Sequence, residues 1–270
     1  MPLTLSFPQG CALVAGGSGT TGQGVVRSMT NAGVPTVFTY LNNETTALAL
    51  ERELRDAGHN VWARRMDMRD NGSIDETLCF AQAEVGTLHT VLCPAGARVP
   101  FNRIVDFTVD DVERFILSDG LAAHRLVNRV VPVMRANGSG RIVLCSTMAF
   151  RRVVHFDGIS PLSKGIVEAL VRQVAVEEAA HAIRCNAVAI GWVMSRSVDE
   201  VRKRLPPDPS HEPSTPNEMF ARVFNTVAAM PRIPRPATPV EAGDVFAFLA
   251  SDQAAYVTGQ VIMLDGGATL

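Results

Sequence analysis

Tyrosine is nearly absent from this chain of 270 residues; Tyr40 and Tyr256 are the two that occur. Chemistry that runs through a phenol must therefore use one of two positions. Charge of either sign is also in short supply, with a formal net charge of −2 and no clustering of Lys and Arg into a stripe. That excludes the electrostatic footprint of a nucleic-acid or anionic-membrane binder and leaves a small molecule as the expected partner. The five cysteines, Cys11, Cys79, Cys93, Cys145 and Cys185, are far apart, odd in number and free of any C-x-x-C pair. A disulfide framework is excluded, no metal is expected, and the thiols read as reduced core residues of a cytoplasmic protein. Met1 to Gly10 lacks the basic segment and apolar stretch of an export signal, and no later run is long enough to span a bilayer.

What the chain does have is alternation. Short apolar runs at Cys11 to Ala15, Thr36 to Tyr40, Val61 to Met66, Thr90 to Cys93, Arg141 to Cys145, Ile183 to Ala189 and Gln260 to Leu264 read as strands covered on both faces. Between them lie segments of helical periodicity: Gly22 to Ala32, Glu44 to Ala57, Ser73 to Val85, Val109 to Ala136, Pro161 to His181 and Pro239 to Ser251. Repeated right-handed βαβ crossovers then predict an α/β fold of the doubly wound Rossmann type. It is a parallel sheet of about seven strands flanked by helices on both faces, built as one domain over 1–270. The Pro-, Arg- and acid-rich stretch Ser197 to Pro236 breaks the pattern and reads as a surface excursion, a lid by its place in the order of elements.

The first strand runs into Gly16-Gly17-Ser18-Gly19-Thr20-Thr21-Gly22-Gln23-Gly24 and then a helix. Glycines let the backbone turn tightly and approach a pyrophosphate, while the helix N-terminus offers free N–H groups and a positive dipole end. Gly16, Ser18, Thr21, Gly22 and Gln23 are the expected contacts. After the second strand stands Tyr40-Leu41-Asn42-Asn43, where an NAD site would place a carboxylate for the adenosine ribose. With none there to repel a 2′-phosphate, NADP is preferred and NAD is the alternative, although no Arg stands there to bind the phosphate.

These residues resemble the short-chain dehydrogenase/reductase family, and the likeness runs from Gly10 to the C-terminus. Gly16 to Gly24 is similar to the family's opening glycine motif, Asp67-Met68 to its adenine-contacting pair, and Cys93-Pro94-Ala95-Gly96 to its Asn-Asn-Ala-Gly beside the cofactor ribose. The resemblance thus assigns Tyr40, Asp67, Met68, Ala95 and Gly96 to the cofactor. Asn186 to Val193 resembles the stretch ending Pro-Gly, with Ile190 for the Pro. Val193 and Ser195 then fall near the nicotinamide carboxamide. The ending, Phe248 to Asp252 through Val257-Thr258-Gly259-Gln260 to Asp265-Gly266-Gly267, is close to the usual family text.

At the active centre the chain departs from that text. The family sets a Tyr four residues before a Lys on one helix face, with a Ser on a preceding strand end and a more distant Asn. Lys164 fits the Lys, which implies a role in holding the nicotinamide ribose, but Ser160 stands for the Tyr, Thr147 for the Ser and Asp119 for the Asn. A phenol, with a reference pKa of about 10, can give a proton to a developing alkoxide; an aliphatic hydroxyl is far too weak an acid to ionise usefully. Ser160 can relay a proton through water with Thr147 and Lys164 beside it, and His155 and Asp157, in the loop before the missing Tyr, are the alternative acids or bases. Asp119 reads either as the ion-pair partner of a buried Lys164 or as a base.

Three readings stay open. The first is an NADP-dependent reductase of a small carbonyl, imine or activated alkene with rerouted proton transfer. The second is a cofactor-binding sensor or inactive partner, and the third a non-redox dehydratase or isomerase. Family members of this length form homotetramers or homodimers through two long helices. The apolar Val127, Val130, Val131, Leu170, Val174 and Val176 fit that, and core packing explains them equally well.

Overall fold

The computed structural model describes residues 4–270; Met1–Leu3, part of the N-terminal reading above, lie outside the described residues. Strands β1 (Cys11–Val14), β2 (Thr36–Tyr40), β3 (Val61–Arg65), β4 (Leu88–Cys93), β5 (Gly140–Thr147), β6 (Ile183–Ile190) and β7 (Val261–Leu264) form one seven-stranded sheet in the order β3-β2-β1-β4-β5-β6-β7. Every pairing is parallel. The fold class expected from the alternation is the one found.

Helices α1 (Thr20–Asn31), α2 (Glu44–Asp56) and α9 (Pro239–Ala250) cover one face, and α3 (Asn71–Phe80), α5 (Gly120–Ala136) and α6 (Ile159–Glu177) the other. Alternate residues of β1 divide between the two layers: Cys11 and Leu13 pack with Ile74, Leu126 and Val171, whereas Ala12 and Val14 pack with Val25, Met29 and Phe246. That period of two, with both faces apolar, is why the strands read as continuous hydrophobic runs. Truncating a side chain such as Leu126, wholly buried, costs about 2–5 kcal/mol.

One expected helix is two. The periodicity of 109–136 is interrupted at Asp119 (φ −122°, ψ −82°), which separates α4 (Val109–Ser118) from α5. The N–H of Gly120 is taken by Ser163 Oγ of α6 at 2.8 Å, and the turn swings the Asp119 side chain inward. Of the apolar positions read as a helix-mediated interface, Val127, Val130 and Val174 are core residues, and Val176 is exposed.

The excursion after β6 contains α7 (Val198–Arg202) and α8 (Pro216–Ala228), each opened by a capping box, Ser197 with Glu200 and Thr215 with Glu218. Its two ends are hydrogen-bonded to each other, Met194 N–H to Ala237 O at 3.0 Å and Ala237 N–H to Trp192 O at 2.9 Å. Helix α8 packs Val223 against Met148, Val154 and Phe156 beyond the C-terminal end of β5.

Candidate active site

Because β1 pairs with both β2 and β4, the chain reverses direction across the sheet there, and a crevice opens beyond the carboxyl ends of the strands. A cleft of about 960 Å³ occupies it, lined by the Gly16–Gly22 turn, Tyr40 to Asn43, Pro94 to Val99, Thr147, Asp157, Ser160, Lys164, and Trp192 with α8. The turn is built for close approach: a Cβ on Gly22 would lie 2.1 Å from the Gly16 carbonyl oxygen, and α1 starts at Thr20 with its first N–H groups facing the turn. Side chains are kept out of this space and donors are turned toward it, which suits a pyrophosphate.

Gly16, Ser18, Thr21, Gly22, Tyr40, Ala95 and Gly96 all border the cleft. Gln23 does not; its amide donates to the Ser18 carbonyl at 3.1 Å and braces the turn from behind. Asp67 and Met68 border an adjoining recess of about 240 Å³ that shares Gly16, Tyr40, Ala95 and Gly96 with the main cleft. Arg69 grips the Asp67 carboxylate at 2.7 Å and holds its pKa below the usual range. Val193 and Ser195 are absent from the lining, where Trp192 and Met194 stand instead; Ser195 is exposed on the way out to α7. The cause is the pairing of Val193 with Ala237, which turns the chain at that point.

Thr147, Ser160 and Lys164, the positions the family resemblance assigned, all line this cleft. The Thr147 oxygen accepts from Ala149 N–H at 3.2 Å, so its own proton is free to be donated. Ser160 is buried, and its hydroxyl has no hydrogen-bond partner. Lys164 Nζ lies 2.6 Å from Asp119 Oδ1, with the two side chains 10% and 2% exposed, and Gly96 lies against the pair. Burial alone would lower the lysine's pKa; Cys145 and the Asp119 carboxylate, with Cys93, together outweigh it and the ammonium is held above its ordinary range. Neighbouring Cys93 is pushed up to about 12 by burial and stays a neutral thiol.

His155 is exposed, stacked on Phe156 at 3.9 Å, and faces away from the cleft. Asp157 faces into it. Burial raises its carboxyl to about 6, and the Ser160 hydroxyl and backbone offset part of that rise, although the hydroxyl is not aligned for a hydrogen bond.

Sequence reasoning passed over two further residues. Arg65 ends β3 opposite Tyr40 and reaches the Leu41 carbonyl at 3.4 Å, which puts a cation without a carboxylate partner beside the end of β2. The parallel register of β2 and β3 was the signal that could have found it. Arg98, on the loop after β4, lines the same cleft as Phe101, Trp192, Phe220 and Phe224 and is likewise unpaired among the described residues. Among those residues no group of His, Cys, Asp and Glu is placed to hold a metal ion, and no helix is long and apolar enough to cross a membrane.

Comparison with known proteins agrees with this architecture. Residues 17–269 match the family model described as enoyl-(acyl carrier protein) reductase. The chain is 28% identical to the oxidoreductase UcpA of Salmonella typhimurium over 260 residues, covering 96% of this chain and 94% of that one. It is 31% identical to cis-4-hydroxycyclohexanecarboxylate dehydrogenase of Sinomonas cyclohexanicum over 265 residues, 98% of each chain. The solved structure of a short-chain type dehydrogenase/reductase from Mycobacterium ulcerans superposes with a TM-score of 0.84 at 22% identity, covering 98% of this chain and 91% of that one. The chain belongs to the short-chain dehydrogenase/reductase family, whose members use a nicotinamide dinucleotide.

Proposed function

We propose that the protein is a nicotinamide-dependent oxidoreductase of a compact, largely apolar organic molecule that carries a carboxylate, with NADP favoured and NAD accepted. The observation that carries this reading is the continuity of the cleft from the glycine turn to Thr147, Ser160 and Lys164. Gly16, Ser18, Thr21 and Gly22 hold the pyrophosphate, Tyr40, Asp67 and Met68 border the adenosine, and Ala95, Gly96 and Lys164 hold the nicotinamide ribose. Trp192 and Met194 meet the nicotinamide in place of Val193 and Ser195. When bound, the reduced nicotinamide supplies hydride to the substrate carbon.

The chain's own part is positioning and protons. Thr147 donates a hydrogen bond to the substrate oxygen, and the buried ammonium of Lys164 lowers the cost of negative charge there. Phe101, Trp192, Phe220 and Phe224 enclose the apolar body and exclude water, with the α7–α8 segment as the cover. Arg98 takes the carboxylate. The relative named for a hydroxylated cyclohexane carboxylate supports that substrate shape. Arg65, beside a Tyr40 to Asn43 stretch that itself carries no carboxylate, supports the preference for a 2′-phosphate.

The test is a titration with NADPH and NADH followed by turnover of 4-oxocyclohexanecarboxylate, its methyl ester, and a panel of imines and enones. Tighter NADPH binding and turnover of the acid ahead of the ester is the expected result. Tight binding with no turnover anywhere marks a cofactor-binding sensor; no binding of either nucleotide refutes the redox reading.

A further inference from the structure

Two polar atoms in the cleft wall are buried with no hydrogen-bond partner among the described residues, Asp157 Oδ1 and Ser160 Oγ. Leaving such a group unsatisfied costs about 1–3 kcal/mol, so two at one spot point to a task. The backbone is set to aim them. Phe156 adopts φ +70°, rare for a residue with a side chain, and its ring is buried with Met148, Val154 and Val223. That turn sends His155 outward and Asp157 inward. The loop after β4 then clamps the position, with Asn102 N–H donating to Phe156 O at 3.0 Å and Asn102 pairing with Asp157.

We propose that Asp157 and Ser160 form a two-residue proton path that stands in for a phenol, the Asp157 carboxyl recharging the Ser160 hydroxyl as that hydroxyl protonates the substrate oxygen. This rests on the oxidoreductase reading and adds the source of its proton. With a bound reduced nicotinamide supplying hydride to the carbonyl carbon, the C=O π pair would move onto oxygen. The oxygen takes the Ser160 proton, Ser160 Oγ takes the Asp157 proton, and Asp157 is left as a carboxylate that water reprotonates. The two transfers are concerted, so no serine alkoxide forms and the weak acidity of an aliphatic hydroxyl does not matter. Alcohol oxidation runs the same path backward with Asp157 as base.

A purely structural role for Asp157 has a distinct signature. It lies just ahead of α6, where a carboxylate that only capped the helix would have its pKa lowered by the dipole and the backbone N–H groups. Burial has instead raised it to about 6, within reach of proton exchange near neutral pH. The charged groups on the elements around it are Lys164, paired with Asp119, then Arg103, paired with Glu212, and Arg98 and His155, which have no ion-pair partner among the described residues. Asp157 is thus a positioning residue for protons acting through Ser160, and of these two only Ser160 touches substrate.

Two measurements decide it. Carbon-13 NMR titration of the cofactor-free protein with labelled aspartate should find the Asp157 carboxyl at about 6 and find it higher in Ser160→Ala, because the hydroxyl that offsets burial is gone. A titration in the ordinary aspartate range near ~4, or one that Ser160→Ala leaves unmoved, overturns the pairing whatever the substrate is. With NADPH and 4-oxocyclohexanecarboxylate, Asp157→Asn keeps the size and capping capacity of the residue. It should nonetheless lower kcat roughly 100-fold or more, leave KM nearly unchanged, and remove the fall in kcat as pH rises through about 6. An Asp157→Asn enzyme with wild-type kcat and pH profile overturns the path. If no ketone is turned over by the wild type, the oxidoreductase reading has failed, and the NMR titration still decides whether the two groups are coupled.

Discussion

Asp119 Oδ1, at the break between α4 and α5, meets Lys164 Nζ of α6 at 2.6 Å, and the second carboxylate oxygen, Oδ2, has no partner among the described residues. A buried pair of this kind is costly to break from one side, because the charge left behind is unpaired. Asp119→Ala should lower the unfolding free energy by about 3–5 kcal/mol, whereas the double variant Asp119→Leu, Lys164→Met should regain most of that loss. Urea denaturation of the cofactor-free proteins checks both; a single variant within about 1 kcal/mol of wild type means the pair is effectively solvated.

The proposed preference for a 2′-phosphate rests on Arg65, which reaches the Leu41 carbonyl at the end of β2. In Arg65→Ala, NADPH binding should weaken roughly 10- to 100-fold while NADH binding barely changes, as expected for the loss of one charge-assisted contact of about 1.5–3 kcal/mol. Fluorescence titration reads both constants. Equal weakening of the two nucleotides would mean Arg65 shapes the site without reaching the 2′ position.

Restoring a phenol is the direct test of the missing tyrosine. Ser160→Tyr places it four residues before Lys164 on α6, facing a cleft with room for it. Ketone reduction should rise by on the order of 100-fold, and Ser160→Phe, which fills the same space without the hydroxyl, should show no gain. Equal rates for Tyr and Phe would assign the change to packing alone.

His89 makes the fold acid-sensitive. It is 3% exposed, its Nδ1 engages the Thr90 hydroxyl at 2.8 Å, and its Nε2 has no partner. Burial, with a contribution from Arg141, depresses its pKa from 6.5 to about 4. A group whose folded pKa is depressed contributes stability above its unfolded pKa and loses it as pH falls. Between pH 6.5 and about 4 the chain therefore loses roughly 3 kcal/mol through this residue. His89→Gln should flatten the acid side of a Tm-against-pH curve. Asp157 acts with the opposite sign, its raised pKa removing stability as pH climbs from 3.8 to about 6, so each effect is read as variant against wild type. An acid limb of equal slope in His89→Gln and wild type would rule His89 out.

The sheet and the glycine turn were legible because each is a local pattern: apolar runs with period two, and glycines between a strand and a helix. Thr147, Ser160 and Lys164 followed from laying the family's motif on the chain, not from any local pattern of their own. The break at Asp119 was hidden because the apolar periodicity continues through it, and only the tertiary bond from Gly120 to Ser163 reveals the turn. His155 and Asp157 are near neighbours whose opposite facings depend on the single positive φ at Phe156. Arg65 became visible only through strand register, since its importance lies beside Tyr40 in space and not in sequence.

The stretch from Met194 to Pro236 leaves and rejoins the sheet at one doubly hydrogen-bonded point, and the helix it feeds, α9, is locked to α1 where a Cβ on Gly24 would lie 1.7 Å from the Pro239 carbonyl. A segment attached in this way can change length or composition without moving the strands whose ends border the cleft. Selection is then free to retool which molecules enter while the machinery beneath them is inherited unchanged, and a chimera that exchanges this stretch with a relative's should fold and take the donor's appetite.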